Sequence, residues 1–96
     1  KSNIEVVKTI CNILNELKPK KNFDYNNLIE FVEDRPGHDY RYAIDFSKIN
    51  LQLDWSPEID FENGIRQTID WYIDNESWWH KIYKKKYNQN RLGIYK

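Results

Sequence analysis

The sequence predicts an α+β domain, dominated by helices and carrying one short two-stranded element. Three observations lead there. Residues 2–17 repeat apolar side chains at helical spacing, two short β-rich runs flank a Pro-Gly turn, and two further helical stretches follow Asp60. With 96 residues the chain suits a single small domain, 1–96.

The opening "SNIEVVKTICNILNEL" begins with Ser2-x-x-Glu5, a capping-box pattern. Ile4, Val7, Ile10, Cys11, Leu14 and Leu17 then form one apolar face. Pro19 ends the helix, since proline lacks the N–H donor and disfavours helix at Lys18. "KPKKNFDYNN" reads as a solvated connector. "LIEFVED" has the composition of a short strand. "RPGH" is a turn, with Pro36 presetting its own backbone angle and Gly37 supplying the positive φ of a type II turn. "RYAID" is the second strand. Asp45 or Ser47 caps a short helix carrying Phe46, Ile49, Leu51 and Leu53, and "DWSP" breaks it. Asp60 starts "FENGIRQTIDWYIDN", with Phe61, Ile65, Ile69, Tyr72 and Ile73 near one face. Gly64 inside that helix costs roughly 1 kcal/mol against alanine, which a close helix contact would explain. "ESWWHKIYKKKY" is a last helix. Two strands are not independently stable, so they need the helices or a neighbouring domain to cover them.

Composition excludes several classes. The formal net charge is zero, from 15 basic and 15 acidic residues, which argues against a general nucleic-acid or membrane-surface role. No apolar run has the length of a membrane span, and no signal peptide is legible. The single cysteine, Cys11, permits no internal disulfide and lies in the apolar helical pattern. It reads as a buried thiol in a reducing compartment. Met is absent even at position 1, as in a piece of a longer or processed polypeptide. The glycines, Gly37, Gly64 and Gly93, have neither dinucleotide-binding nor P-loop spacing. One cysteine with the distant His38 and His80 makes no known zinc spacing. No serine or carboxylate pair reads as catalytic.

Two stretches remain as candidates, each with two readings. Around the turn, Arg35 and Arg41 supply forked donors that suit phosphate or carboxylate, and His38 adds another donor. Alternatively, Asp34, Arg35, Asp39 and Arg41 simply pair across a surface hairpin, at roughly 0–1 kcal/mol each. Near the C-terminus, Trp71, Trp78, Trp79, Tyr72, Tyr83 and Tyr87 interleave with Lys81, Lys84, Lys85 and Lys86. They form either a stacking surface in an autonomous module, for nucleic acid or a protein partner, or a core and interdomain surface beside a solvated basic face.

"DRPGHDYRYAIDFSKI" and "LDWSPEIDFENGIRQTIDWYIDNESWW", taken together, resemble the C-terminal part of the dTDP-glucose 4,6-dehydratases, in the extended short-chain dehydrogenase/reductase class. The likeness covers residues 2–79, and "RPGHD-x-RYAID" is its most specific element. It implies the C-terminal, substrate-binding lobe of a cytoplasmic NAD-dependent lyase of deoxysugar and rhamnose synthesis. Such an enzyme converts dTDP-glucose into dTDP-4-dehydro-6-deoxyglucose and water. The family's NAD-binding Rossmann domain lies upstream of the matched region. It holds the Tyr-x-x-x-Lys and Asp-Glu groups and most of the homodimer contact. The resemblance therefore implies no catalytic or cofactor-binding residue in this chain. It does imply a substrate-binding segment, Asp34, Arg35, Pro36, Gly37 and His38, closing on the nucleotide diphosphate. The tail departs from the family: "KKKYNQNRLGIYK" lacks the usual glycine before its tyrosine, so Tyr95 matches a family substrate contact by position alone.

Overall fold

A computed structural model describes residues 1–85. Four helices follow in order: α1 (Asn3–Leu17), α2 (Ser47–Leu53), α3 (Phe61–Asp74) and α4 (Glu76–Lys85), with a 3₁₀ turn at Tyr25–Leu28 after α1. Helix α1 starts where its capping box predicts. Ser2 Oγ accepts from the Glu5 amide at 3.3 Å, and Glu5 Oε2 accepts from the Ser2 amide at 2.7 Å. The Ser2 amide's bond is the main reason the Glu5 carboxyl lies below its usual range. At the other end the Lys18 amide, just before Pro19, still donates to Leu14 O.

The connector after α1 is more ordered than a solvated loop. The Tyr25 ring is buried, and two asparagines on α1 hold the segment. Asn15 Oδ1 accepts from the Tyr25 amide at 3.1 Å, and Asn15 Nδ2 donates to Asp24 Oδ1 at 2.8 Å. Tyr25 Oη donates to Lys18 O at 2.8 Å, and Asn26 Nδ2 donates to Asn12 Oδ1 at 2.8 Å. The buried ring needs a partner for its hydroxyl, and the C-terminal carbonyls of α1 need donors, so one bond satisfies both.

Helix α3 begins at its expected cap, with Asp60 Oδ1 accepting from the Asn63 amide at 2.8 Å. It packs on α1, and Arg66 pairs with Glu16 at 2.8 Å across the two helices. The buried residues are Cys11 and Ile13 from α1, Tyr25 from the turn and Ile69 from α3. Ile13, at 3% exposure, lies outside the predicted α1 face, while Val7 and Leu17 of that face are exposed. Helix α1 is covered by α3 and by the 3₁₀ turn, so a single stripe does not describe its buried side. Burial, and then the nearby Asp24 carboxylate, push the Cys11 thiol pKa up, as befits a structural rather than reactive cysteine.

The predicted two-stranded element is not formed. Among the described residues there is no named strand, only an isolated bridge between Lys20 and Phe23. The segment 29–46 runs without regular structure, and Phe31, Val32, Tyr42 and Ile44 stand exposed along it. Their β propensity reflects fit to a half-buried pleated surface, and no layer lies here to bury them. The radius of gyration, 17.2 Å, exceeds the roughly 13 Å of a compact domain of about 100 residues, as such an arm requires. Helix α2 forms as expected, but its cap position is Phe46, with Asp45 Oδ1 accepting from the Ser47 amide one residue earlier.

Among the described residues, no close helix contact explains Gly64. A Cβ there would meet only the Ile59 side chain, at an ordinary 3.5 Å. Gly64→Ala is therefore expected to stabilise the chain by about 0.5–1 kcal/mol through helix propensity. Urea denaturation of the two forms checks this. A lower midpoint for the alanine form would mean that Gly64 serves a contact.

Candidate functional site

The turn at Arg35–His38 joins the two halves of the exposed arm. Gly37 has φ +69°, the left-handed value that position i+2 of a type II turn requires, and a Cβ there would meet nothing within 4 Å. A side chain at Gly37 is thus opposed by backbone conformation rather than by crowding.

Asp34 organises the turn. Its Oδ1 accepts from the Arg35 amide at 2.9 Å and lies 2.7 Å from His38 Nδ1. The His38 bond is the main reason the Asp34 carboxyl sits below its usual range. Its stabilising contribution is therefore present above the ordinary carboxyl range and is lost as pH falls through the folded-state value. Since an ionised carboxylate only accepts, His38 Nδ1 carries the proton of this bond.

The Arg35 side chain makes one long hydrogen bond, Nη1 to Pro36 O at 3.5 Å. Most of its five donors remain for another acceptor. Downstream, Tyr42 Oη donates to Asp39 Oδ2 in a short bond that raises the phenol's pKa. Asp34 and Asp39 thus bond to His38 and Tyr42 rather than to arginines across a hairpin. His38 and Arg41 line a cleft of about 770 Å³ whose opposite wall is Lys1 and Glu5 at the start of α1. That volume falls in the range of ligand clefts, roughly 300–1,000 Å³. Asp34, Arg35, Pro36, Gly37 and His38 thus share one turn, and of the five only His38 lines this cleft.

The aromatic segment looks different. Trp71 packs edge-to-face on Tyr72 and Trp78, with centroids 5.2 and 5.4 Å away. Trp79 Nε1 donates to Tyr72 O at 2.8 Å, and its ring stacks on His80. These rings touch one another across the α3–α4 junction, while Trp71, Tyr72 and Trp78 remain exposed. Lys86, Tyr87, Gly93 and Tyr95 lie outside the described residues. Among the described residues no group of three or more His, Cys, Asp or Glu could hold a metal, and no helix is long and apolar enough to cross a membrane.

The family described as GDP-mannose 4,6 dehydratase matches residues 1–68, and the chain belongs to it. Within that class the likeness is specific. The chain is 52% identical, over 97% of its length, to the dTDP-glucose 4,6-dehydratase of Neisseria meningitidis serogroup B, and 50% identical, over 98%, to one from Escherichia coli. A third, from Haemophilus influenzae, is 54% identical over 80% of the chain. The chain spans about 27% of the length of the first two relatives. These matches give no support to a stand-alone nucleic-acid or protein-binding module.

Proposed function

We propose that this chain is the C-terminal, nucleotide-sugar-binding part of a dTDP-glucose 4,6-dehydratase, with the Asp34–His38 turn clamping the nucleotide diphosphate. The observation that carries the reading is identity of about one half along nearly the whole chain with proteins of that name. Arg35 offers the diphosphate a forked pair of N–H donors, and His38 adds a single donor. Gly37 lets the backbone approach.

Among the described residues, neither glycine fits the NAD that such a lyase uses. Gly37 lies in a turn that leads into irregular chain, and Gly64 lies inside α3. Neither opens a helix after a strand, as a dinucleotide turn demands. NAD and the proton-transfer groups therefore belong to the rest of the polypeptide, an N-terminal Rossmann domain through which two copies pair in the cytoplasm. The exposed side chains Phe31, Tyr42 and Ile44 are the surface that such a domain would cover.

The full-length gene product, incubated with NAD, is expected to convert dTDP-glucose into a product lighter by one water, read by mass spectrometry. The 96-residue chain alone is expected to produce none and to bind no NAD. Preferential dehydration of GDP-mannose by the full-length protein would overturn the substrate assignment.

A further inference from the structure

We propose that Asp34 is a positioning residue that acts through His38, aiming the imidazole and fixing the proton on Nδ1 so that Nε2 meets the diphosphate only when the ring is cationic. The inference rests on the clamp reading of the turn and sharpens it. Its basis is the 2.7 Å contact between Asp34 Oδ1 and His38 Nδ1. In a neutral imidazole one nitrogen donates and the other accepts. With the Nδ1 proton committed to Asp34, a neutral His38 presents a lone pair at Nε2, which repels a phosphate oxygen. Protonation turns Nε2 into a charge-assisted donor.

The geometry separates the roles of three neighbours. Arg35 keeps its charge at all working pH and supplies the constant part of the grip. His38 supplies a part that disappears as pH rises. Asp34 accepts from the Arg35 amide as well as from the ring, so one carboxylate orients the backbone and the switchable donor together. Both bonds fall on Asp34 Oδ1, so this anion acts on the diphosphate through the ring and the backbone it holds. The other charged or titratable residues that line the cleft with His38 are Asp39, Tyr40, Arg41 and Tyr42 on its own segment, and Lys1 and Glu5 at the start of α1. Asp39 is engaged by Tyr42, and Glu5 by the Ser2 cap, so Asp34 is the carboxylate bonded to the ring.

The test is a double-mutant cycle in the full-length gene product, with dTDP as the probe and calorimetry as the readout. At neutral pH, Asp34→Asn is expected to weaken dTDP binding about five- to tenfold, the size of one ordinary hydrogen bond. In a His38→Ala background the same substitution is expected to cost less than about twofold, because its target is gone. The ligand's own phosphate titrates too, so the pH dependence is read as the difference between each protein and its His38→Ala partner. That difference is expected to vanish as pH rises. In the ligand-free parent, ¹⁵N spectra of the neutral ring are expected to place the proton on Nδ1. An equal loss from Asp34→Asn in both backgrounds, or a neutral ring protonated on Nε2, overturns the proposal and leaves the clamp standing. If instead Arg35→Ala and His38→Ala both bind dTDP like the parent, the clamp reading fails and this inference falls with it.

Discussion

Arg35→Ala is expected to weaken dTDP binding by the full-length gene product about 10- to 150-fold. The figure follows from losing a charge-assisted contact worth roughly 1.5–3 kcal/mol, at 1.4 kcal/mol per factor of ten. Little in the turn offsets the loss, because the guanidinium makes only the long bond to Pro36 O. In turnover of dTDP-glucose the effect is expected to divide. Part raises KM, since the diphosphate is remote from the reacting carbons. Part lowers kcat, because binding energy from remote groups helps to orient the sugar. Arg35→Lys is expected to recover only some of the affinity, as an ammonium cannot reproduce the planar fork. NAD affinity is expected to be unchanged. Lys84→Ala and Lys85→Ala, in the last turn of α4, are expected to leave all these constants alone. Intact kinetics combined with a lowered melting temperature in Arg35→Ala would make the arginine structural and refute the clamp.

The features legible in the sequence are those whose partners lie within four residues. The Ser2–Glu5 box, the Asp60 cap and the positive φ at Gly37 each depend on a local pattern, and each forms as read. Tyr25 and Ile13 were not legible as core. Tyr25 is buried because Asn15 and Lys18, ten and seven residues upstream, hold its backbone and hydroxyl. Ile13 is buried because α1 has two covering neighbours rather than one. The strands fail for the opposite reason: their local preference is clear, but a pair of strands needs a third layer. At the site, Arg35, Gly37 and His38 stood out by residue type, while the diphosphate clamp came from the family resemblance rather than from their chemistry. The Asp34–His38 bond escaped notice because a four-residue spacing meets side chain to side chain in a helix, and "DRPGH" is no helix. The Pro36–Gly37 turn folds the chain back instead and creates the same proximity.

Ile13→Ala is expected to destabilise the 96-residue chain by about 2–5 kcal/mol, the usual cost of emptying a buried aliphatic site. Ile13 is the most buried side chain among the described residues, at 3% exposure, and shares the core with Cys11, Tyr25 and Ile69. A core so small leaves few neighbours to collapse into the space, which places the cost toward the upper part of that range. Small domains have total stabilities of roughly 5–15 kcal/mol, and the exposed arm puts this chain at the low end. The substitution therefore removes a large share of what holds α1, the 3₁₀ turn and α3 together. Thermal unfolding followed by circular dichroism is expected to shift by about 4–8 °C for each kcal/mol lost. Leu51→Ala is the control. Leu51 is 84% exposed on α2, so its truncation is expected to stay within about 0.5 kcal/mol of the parent. Equal shifts for the two variants would mean that the apolar side chains of α2 are covered as well as those of α1, and would contradict a core confined to α1, the turn and α3. A large loss at Ile13 with none at Leu51 would locate the chain's own stability in that small core. The apolar surface of the arm and α2 would then be left to contribute only once a partner layer lies against it.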